Sequence, residues 1–237
     1  MREVQLTNRM KKVADMVSHG GVVADIGCDH AYVSIYLIKN AIANNVIAMD
    51  IRTGPLKIAL ENVNKYECDK GITVVQSNGL EKLNKGQVDS IIIAGMGGIL
   101  IASILEEGKE VLGEDIELVL QPQSDYQLLR EKLHELGFEI IEEDMLVELG
   151  KYYVIIKAKK SDDKDINYNQ LVYYKYGKLL LEKKHIILKE FLQKEEAAFQ
   201  KVLNGLVDND SLKVLNRKNE IEEEICIIKE ALKFYDM

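Results

Sequence analysis

Short apolar runs alternate with amphipathic stretches through the first 140 residues of the chain. Val22–Ile26 and residues 46–49, 72–75, 90–93 and 118–120 are continuous and often β-branched, the pattern of strands buried on both faces of a mainly parallel sheet. Between them, residues 32–39, 55–66, 98–112 and 126–136 read as helices. Pro55 suits a first helical position, and Ser124 with Asp125 suits an N-cap. A further helix precedes the first strand, and its stripe of Leu6, Met10, Val13 and Val17 reads as core. After Gly137 the pattern changes. Residues 138–141 and 153–158 are strand-like, with a polar stretch between them too short for a right-handed crossover, which predicts an antiparallel hairpin.

Residues 161–167 are polar and read as a linker, so the chain is expected to divide into 1–160 and 161–237. In the second part Leu181, Leu188, Leu192, Phe199, Val202 and Leu206 recur at three- and four-residue spacing. Val214, Ile221, Ile225, Ile228, Leu232 and Tyr235 repeat the pattern after a break at 207–209. Two long helices folded back on each other, coiled-coil-like, explain this, with His185 and Glu195 as irregular members of the first seam.

At 237 residues and 47% hydrophobic content the chain can bury a full core. Cys28, Cys68 and Cys226 are odd in number and far apart, which excludes a disulfide framework and a CxxC metal pair. No metal is expected. No apolar run approaches the roughly 20 residues that span a bilayer, and the N-terminal segment does not resemble a signal peptide, so a cytoplasmic protein without a membrane partner is expected. The formal charge of −8 argues against a general polyanion binder, yet Lys175, Lys178, Lys183, Lys184 and Lys189 stand near only one acid, Glu182. They form either a solvated helix surface or a local basic face.

The candidate chemistry begins in VVADIGCDHAYVSIYL, residues 22–37. A dinucleotide-binding loop uses several glycines to bring a pyrophosphate to a helix N-terminus; here only Gly27 fits, and Asp29 would repel a phosphate. An acidic turn instead suits a cofactor with a sulfonium and an ammonium group. Asp25 would sit near its amino group, and Gly27 would let the backbone come close. An ordinary strand-to-helix turn is the alternative. Asp50 ends the second strand, where a carboxylate can accept two ribose hydroxyls in either cofactor class. Asn78-Gly79-Leu80 then offers an amide for an adenine edge and an apolar side for its face. Ala94-Gly95-Met96-Gly97-Gly98 ends the fourth strand without the Asn/Asp-Pro-Pro-aromatic segment usual for exocyclic amine methylation and without a Pro-Cys nucleophile.

A parallel sheet closed by an antiparallel strand resembles the Rossmann-like α/β fold of class I S-adenosylmethionine-dependent methyltransferases. The segments Asp25-Ile-Gly-Cys-Asp-His-Ala-Tyr32, Ala94-Gly-Met-Gly-Gly98 and Leu120-Gln-Pro-Gln-Ser-Asp125, with the terminal helical hairpin, are similar to the bacterial tRNA (adenine-22-N1)-methyltransferase family over essentially the whole chain. The resemblance implies S-adenosylmethionine bound by Asp25, Gly27, Asp50, Asn78, Gly79 and Gly95. It puts Asp29, His30, Tyr32, Gly95 and Met96 around the methyl-transfer centre, His30 being equally readable as a structural histidine. It also implies that the C-terminal hairpin binds tRNA, with Arg9, Lys11 and Lys12 adding to the lysine face. No obligate protein partner is evident. A small-molecule or protein methyltransferase, a nicotinamide-dependent reductase and a non-catalytic RNA-binding protein are the alternatives.

Overall fold

The computed structural model describes residues 4–163, 165–206 and 212–236, and the chain divides into two compact units, Met1–Asn167 and Tyr168–Met237. The first contains α1 (Asn8–Asp15), β1 (Val22–Ile26), α2 (Tyr32–Lys39), β2 (Asn45–Asp50), α3 (Thr53–Lys65), β3 (Ile72–Gln76) and β4 (Ser90–Met96). It continues with α4 (Gly98–Glu107), β5 (Glu117–Pro122), α5 (Tyr126–Glu135), β6 (Phe138–Glu148) and β7 (Lys151–Lys160). The strands form one sheet in the order β3-β2-β1-β4-β5-β7-β6. The first five run parallel, and β7 is antiparallel to both β5 and β6.

This order reverses between β1 and β4. With right-handed crossovers throughout, units that step one way from β1 and the other way from β4 put their helices on opposite faces. The packing agrees: α2 touches both α1 and α3, and α4 touches α5. Strand alternation fills both layers. Ile92 packs with Val13, Val17, Ile35 and Val63 on one face, while the equally buried Ile91 and Ile93 point to the other.

The hairpin is longer than the sequence pattern predicts. Residues 142–152 are largely strand, joined by a two-residue turn in which Leu149 (φ 50°) and Gly150 (φ 76°) both take left-handed backbone, the form that matches hairpin twist. A register shift between Ile140 and Glu142 explains the difference. It breaks the period-2 alternation, leaving Ile141 exposed and turning Glu143 inward onto the fully buried Arg130 at 2.8 Å. Two helix starts also differ from expectation. Pro55 is the third residue of α3, not the first, and Asp125 precedes α5 with φ 55° and accepts from the Ser124 hydroxyl (2.6 Å) instead of capping the helix.

The second unit holds α6 (Leu171–Tyr176), α7 (Lys178–Glu182), α8 (Ile186–Gly205) and α9 (Leu212–Asp236). The Tyr235 hydroxyl at the end of α9 donates to the His185 carbonyl at the start of α8 (3.0 Å), so these two helices form an antiparallel hairpin. Its first arm is shorter than predicted. Positive φ at Gly177 (93°) and Lys184 (51°) breaks the chain there, so Leu181 belongs to α7 and His185 precedes α8 rather than sitting in its seam. The expected break at 207–209 lies outside the described residues. Lys175 also departs from expectation: it ion-pairs with Glu224 of α9.

At the amino edge of the sheet, Glu117 is buried and ties three segments together. It accepts from the Ser18 amide (2.9 Å) and hydroxyl (2.6 Å), and Lys157 lies 3.1 Å away. Burial alone would raise its carboxyl pKa; the two Ser18 bonds and Lys157 outweigh that and hold it below the ordinary range. Its contribution is therefore complete above the unfolded value near about 4.3 and is lost as pH falls through the lower folded value. Glu117→Gln should cost roughly 2 kcal/mol at neutral pH, and urea titrations should show that deficit shrinking below about pH 4.

Candidate functional site

The carboxyl ends of β1 to β5 open into one cavity of about 580 Å³, within the range of small-molecule sites. Its wall follows the strand order. Asn78 and Gly79 come after β3, Asp50 and Ile51 from the end of β2, Gly27 and Asp29 from the turn after β1, Gly95 and Met96 from β4, and Gln123 from beyond β5. Neighbouring strands are about 4.8 Å apart, so these groups are spread along an elongated trough.

Close approach decides the floor. Gly27 has φ 72°, and a Cβ there would lie 2.2 Å from the Met96 Cε, so no other residue fits without displacing Met96. The Gly27 and Cys28 amides both donate to the Met49 carbonyl, at 2.7 and 2.9 Å, which pins the turn to β2. Two residues of the same turn, Asp29 (φ 50°) and Ala31 (φ 59°), take left-handed backbone without being glycine, a local cost of the kind found at functional turns.

Of the predicted residues, Gly27, Asp29, Asp50, Asn78, Gly79, Gly95 and Met96 all line the cavity. Asp50 is buried; its Oδ1 accepts from the Arg52 amide (2.9 Å) and faces the Arg52 Nε at 3.4 Å, while among the described residues Oδ2 takes no protein hydrogen bond. Asp29 is exposed, with His30 Nε2 at 3.7 Å and Arg52 Nη2 at 4.0 Å. Asn78 spends its side-chain amide on Glu81 (2.8 Å).

Asp25 and Tyr32 do not line the cavity. Asp25 lies behind it, buried, accepting from the Ser34 hydroxyl at 2.6 Å. Ser34, to which the sequence attaches no function, is thus its partner across β1 and α2. Burial pushes the Asp25 carboxyl up to about 6, against the Ser34 bonds and with some help from the Asp50 charge. Tyr32, the first residue of α2, is 40% exposed, with its ring edge-on to His30 at 6.2 Å. Cys28 is buried, and burial pushes its thiol up, so it is not a nucleophile.

Some lining residues were not anticipated. Leu80 is buried outside the cavity, and Ile51, Leu100 and Ile104 supply the apolar surface near Asn78 and Gly79 instead. Met10 lines the cavity although its stripe reads as core, and Arg9 turns into it as well, so Arg9 is not part of an outward basic face. Lys11 pairs with Asp15, and Lys12 with Asp144. A lone arginine on a charged helix gives no sign of its direction in the sequence, so the pattern of α1 does not reveal that Arg9 faces the cavity.

The trough has a single-glycine turn with an acid where a phosphate would need amides, a half-free carboxylate on β2, and a glycine floor. It therefore fits a nucleoside carrying a cationic side chain. Together with the strand order, this defines a class I S-adenosylmethionine-dependent methyltransferase. The family model described as tRNA (adenine(22)-N(1))-methyltransferase matches residues 23–230, and the chain belongs to that family. It is 42% identical over 162 residues to the tRNA (adenine(22)-N(1))-methyltransferase of Bacillus subtilis (strain 168), covering 68% of each chain. The crystal structure of the Bacillus subtilis M1A22 tRNA methyltransferase superposes with TM-score 0.87 at 33% identity, over 97% of this chain and 100% of that one. A Streptococcus pneumoniae protein, described as a putative tRNA (m1A22) methyltransferase in complex with S-adenosyl-L-methionine, superposes with TM-score 0.85 at 31% identity, over 96% and 100%.

The raised Asp25 pKa has a stability consequence for the protein without cofactor. A folded value near 6 against about 3.8 means that the fold resists ionising this carboxyl, so stability is lost as pH rises from about 4 through 6. Asp25→Asn, which can still accept from Ser34, should be more stable than wild type above pH 6 by up to about 3 kcal/mol, with no gain near pH 4. Thermal melts of both proteins across pH 4–8 would check this; a gain independent of pH would contradict it.

Proposed function

We infer that this chain transfers the methyl group of S-adenosylmethionine to N1 of adenine 22 in tRNA. The observation that carries the reading is the acid-lined, glycine-floored trough at the strand reversal of a chain matched by that family across residues 23–230. In this reading the Asn78–Gly79 end takes the adenine of the cofactor, with Ile51, Leu100 and Ile104 against its faces. The Oδ2 atom of Asp50 accepts from the ribose, and Gly27 admits the chain that follows. Asp25 acts from behind this turn through Ser34 and its charge.

Bound S-adenosylmethionine supplies an electrophilic methyl on a sulfonium. Adenine N1 already presents an in-plane lone pair, so the protein needs no strong base to create the nucleophile, and its work is positioning. Gly95 and Met96 floor the centre where the two meet. Asp29, beside it, offers a negative charge to the cationic N-methylated base. Tyr32, exposed beside His30, offers a face on which a displaced adenine can stack, at about 1–3 kcal/mol per base. Exposing N1 means unpairing or unstacking the base, which costs a few kcal/mol.

We assign tRNA binding to the second unit, where Lys183 and Lys184 are exposed at the α7–α8 junction. A cytoplasmic location follows from a tRNA substrate. Among the described residues no helix is long and apolar enough to cross a membrane.

Two measurements test this. Nucleoside analysis of tRNA treated with enzyme and cofactor should show 1-methyladenosine at one site and none when that adenine is replaced by guanine, whose N1 carries hydrogen; N6-methyladenosine would reject the acceptor. Asp50→Ala should weaken cofactor binding by roughly 1.5–3 kcal/mol, the worth of a hydrogen bond to a charged group. Wild-type affinity in calorimetry would remove Asp50 from the site.

A further inference from the structure

We propose that Arg9 anchors the methionine carboxylate of S-adenosylmethionine and so fixes which way the cofactor lies in the trough; this rests on the cofactor reading above. If the ribose sits at Asp50 on β2, the amino-acid end must run past β1 toward β4 and β5. There the wall is cationic. The Arg9 Nη1 lies 3.7 Å from where a Gly95 Cβ would be, and the Gln123 Nε2 is at the same distance, so two donors converge on the side-chain-free face of Gly95. S-adenosylmethionine carries two cationic groups and one anionic group. Asp29 and Asp50 line the part of the trough formed by β1 and β2, and Arg9 lines the part beside β4 and β5. A carboxylate at the Arg9 end meets the planar, two-pronged donor it pairs with best.

The guanidinium is held for this before any ligand arrives. Gln121 is fully buried and donates to the Pro122 carbonyl (2.7 Å), which turns its own carbonyl oxygen to accept from Arg9 Nη1 at 2.5 Å. The Tyr153 ring lies under the guanidinium, 5.0 Å from the Arg9 Cζ to its centroid. Glu148 accepts from the Arg9 amide (3.1 Å) but stays 3.9 Å from Nε, too far for a hydrogen bond. Among the described residues, only one of the five guanidinium N–H groups is therefore spent within the protein. A purely structural arginine bridging α1 to the hairpin would close on Glu148; this one reaches past it into the cavity. The arrangement also accounts for the Gln-Pro-Gln segment at the end of β5, whose first glutamine aims the arginine and whose second stands beside it.

Calorimetry that compares S-adenosylmethionine with its decarboxylated form tests the proposal, because the latter keeps the adenosine, sulfonium and amine and lacks only the carboxylate. On the full chain, wild type should prefer the carboxylated molecule by about tenfold or more, the effect of a charge-assisted contact. Arg9→Met, which keeps an apolar stem over Tyr153, and Arg9→Gln, which keeps a polar end for Gln121, should each bring the two affinities to within about threefold by weakening S-adenosylmethionine alone. Either folded variant is sufficient. A variant that retains the wild-type preference overturns the proposal, and so does equal loss of affinity for both molecules, the mark of a collapsed wall. Wild type that binds neither molecule would instead overturn the cofactor reading itself.

Discussion

β1 leaves the sheet through Gly27, whose left-handed backbone (φ 72°) only glycine adopts freely, and the Met96 Cε from the end of β4 fills the space that a Cβ there would need. The rest of the site is arranged around that turn. These are the two strands between which the sheet reverses, and a parallel sheet that reverses there must leave a crevice at its carboxyl edge. How wide the crevice is depends on what the two turns put into it. With Gly27 on one side and Gly95 in left-handed backbone on the other, the chain contributes mostly main chain at the centre. Its charged side chains stand farther out along the trough. The same economy suits a reaction whose nucleophile needs no base: the middle of the site need only be open, shaped and dry.

What the sequence revealed follows from what each element's pattern depends on. Buried parallel strands read directly, because both faces must be apolar, and the first five strands lie where their runs predict. The second half of β6 did not, since one bulge at Ile140–Glu142 shifts the alternation and puts a buried Arg130–Glu143 pair where apolar residues would normally mark the strand. In the second unit the heptad-like spacing carried through α7 into α8, and nothing in it revealed the break at Lys184, because a single left-handed lysine leaves no trace in a hydrophobic period. Backbone-determined cavity residues such as Gly27, Gly79 and Gly95 were legible for the same reason the strands were. Residues whose place depends on side-chain direction were not: Leu80 turned into the core, Tyr32 outward beside His30, and Arg9 into the cavity.

Arg9 shows how far a site can extend beyond the sheet that carries it. α1 precedes the first strand, and its Thr7 side chain caps it by accepting from the Met10 amide. Its inner face divides by turns, with Val13 in the core and Met10 and Arg9 on the cavity wall. Its orientation is set from the edge of the sheet it packs against, where Glu148 and Asp144 of β6 hold Arg9 and Lys12. The antiparallel hairpin that distinguishes this sheet from an all-parallel one is thus a support for the cavity wall as well as a closing edge. Damage to β6, more than 130 residues from α1, would be felt at the Arg9 end of the trough.

The carboxylates explain why such a site is stable only to a point. Asp25 is buried on β1, with Asp50 buried at the end of neighbouring β2; burial first, and then the Asp50 charge, make ionisation of Asp25 costly. Without a ligand, the Ser34 bond offsets part of that cost. A core selected only for stability would replace Asp25 and its buried partner Ser34 together with apolar residues. A cationic ligand reverses the sign of one part of the problem: the Asp50 charge, which adds to the cost of ionising Asp25 in the empty fold, favours a sulfonium and an ammonium in the trough. Selection for binding therefore favours retaining an acid that selection for folding would remove, and the cost falls on the empty protein.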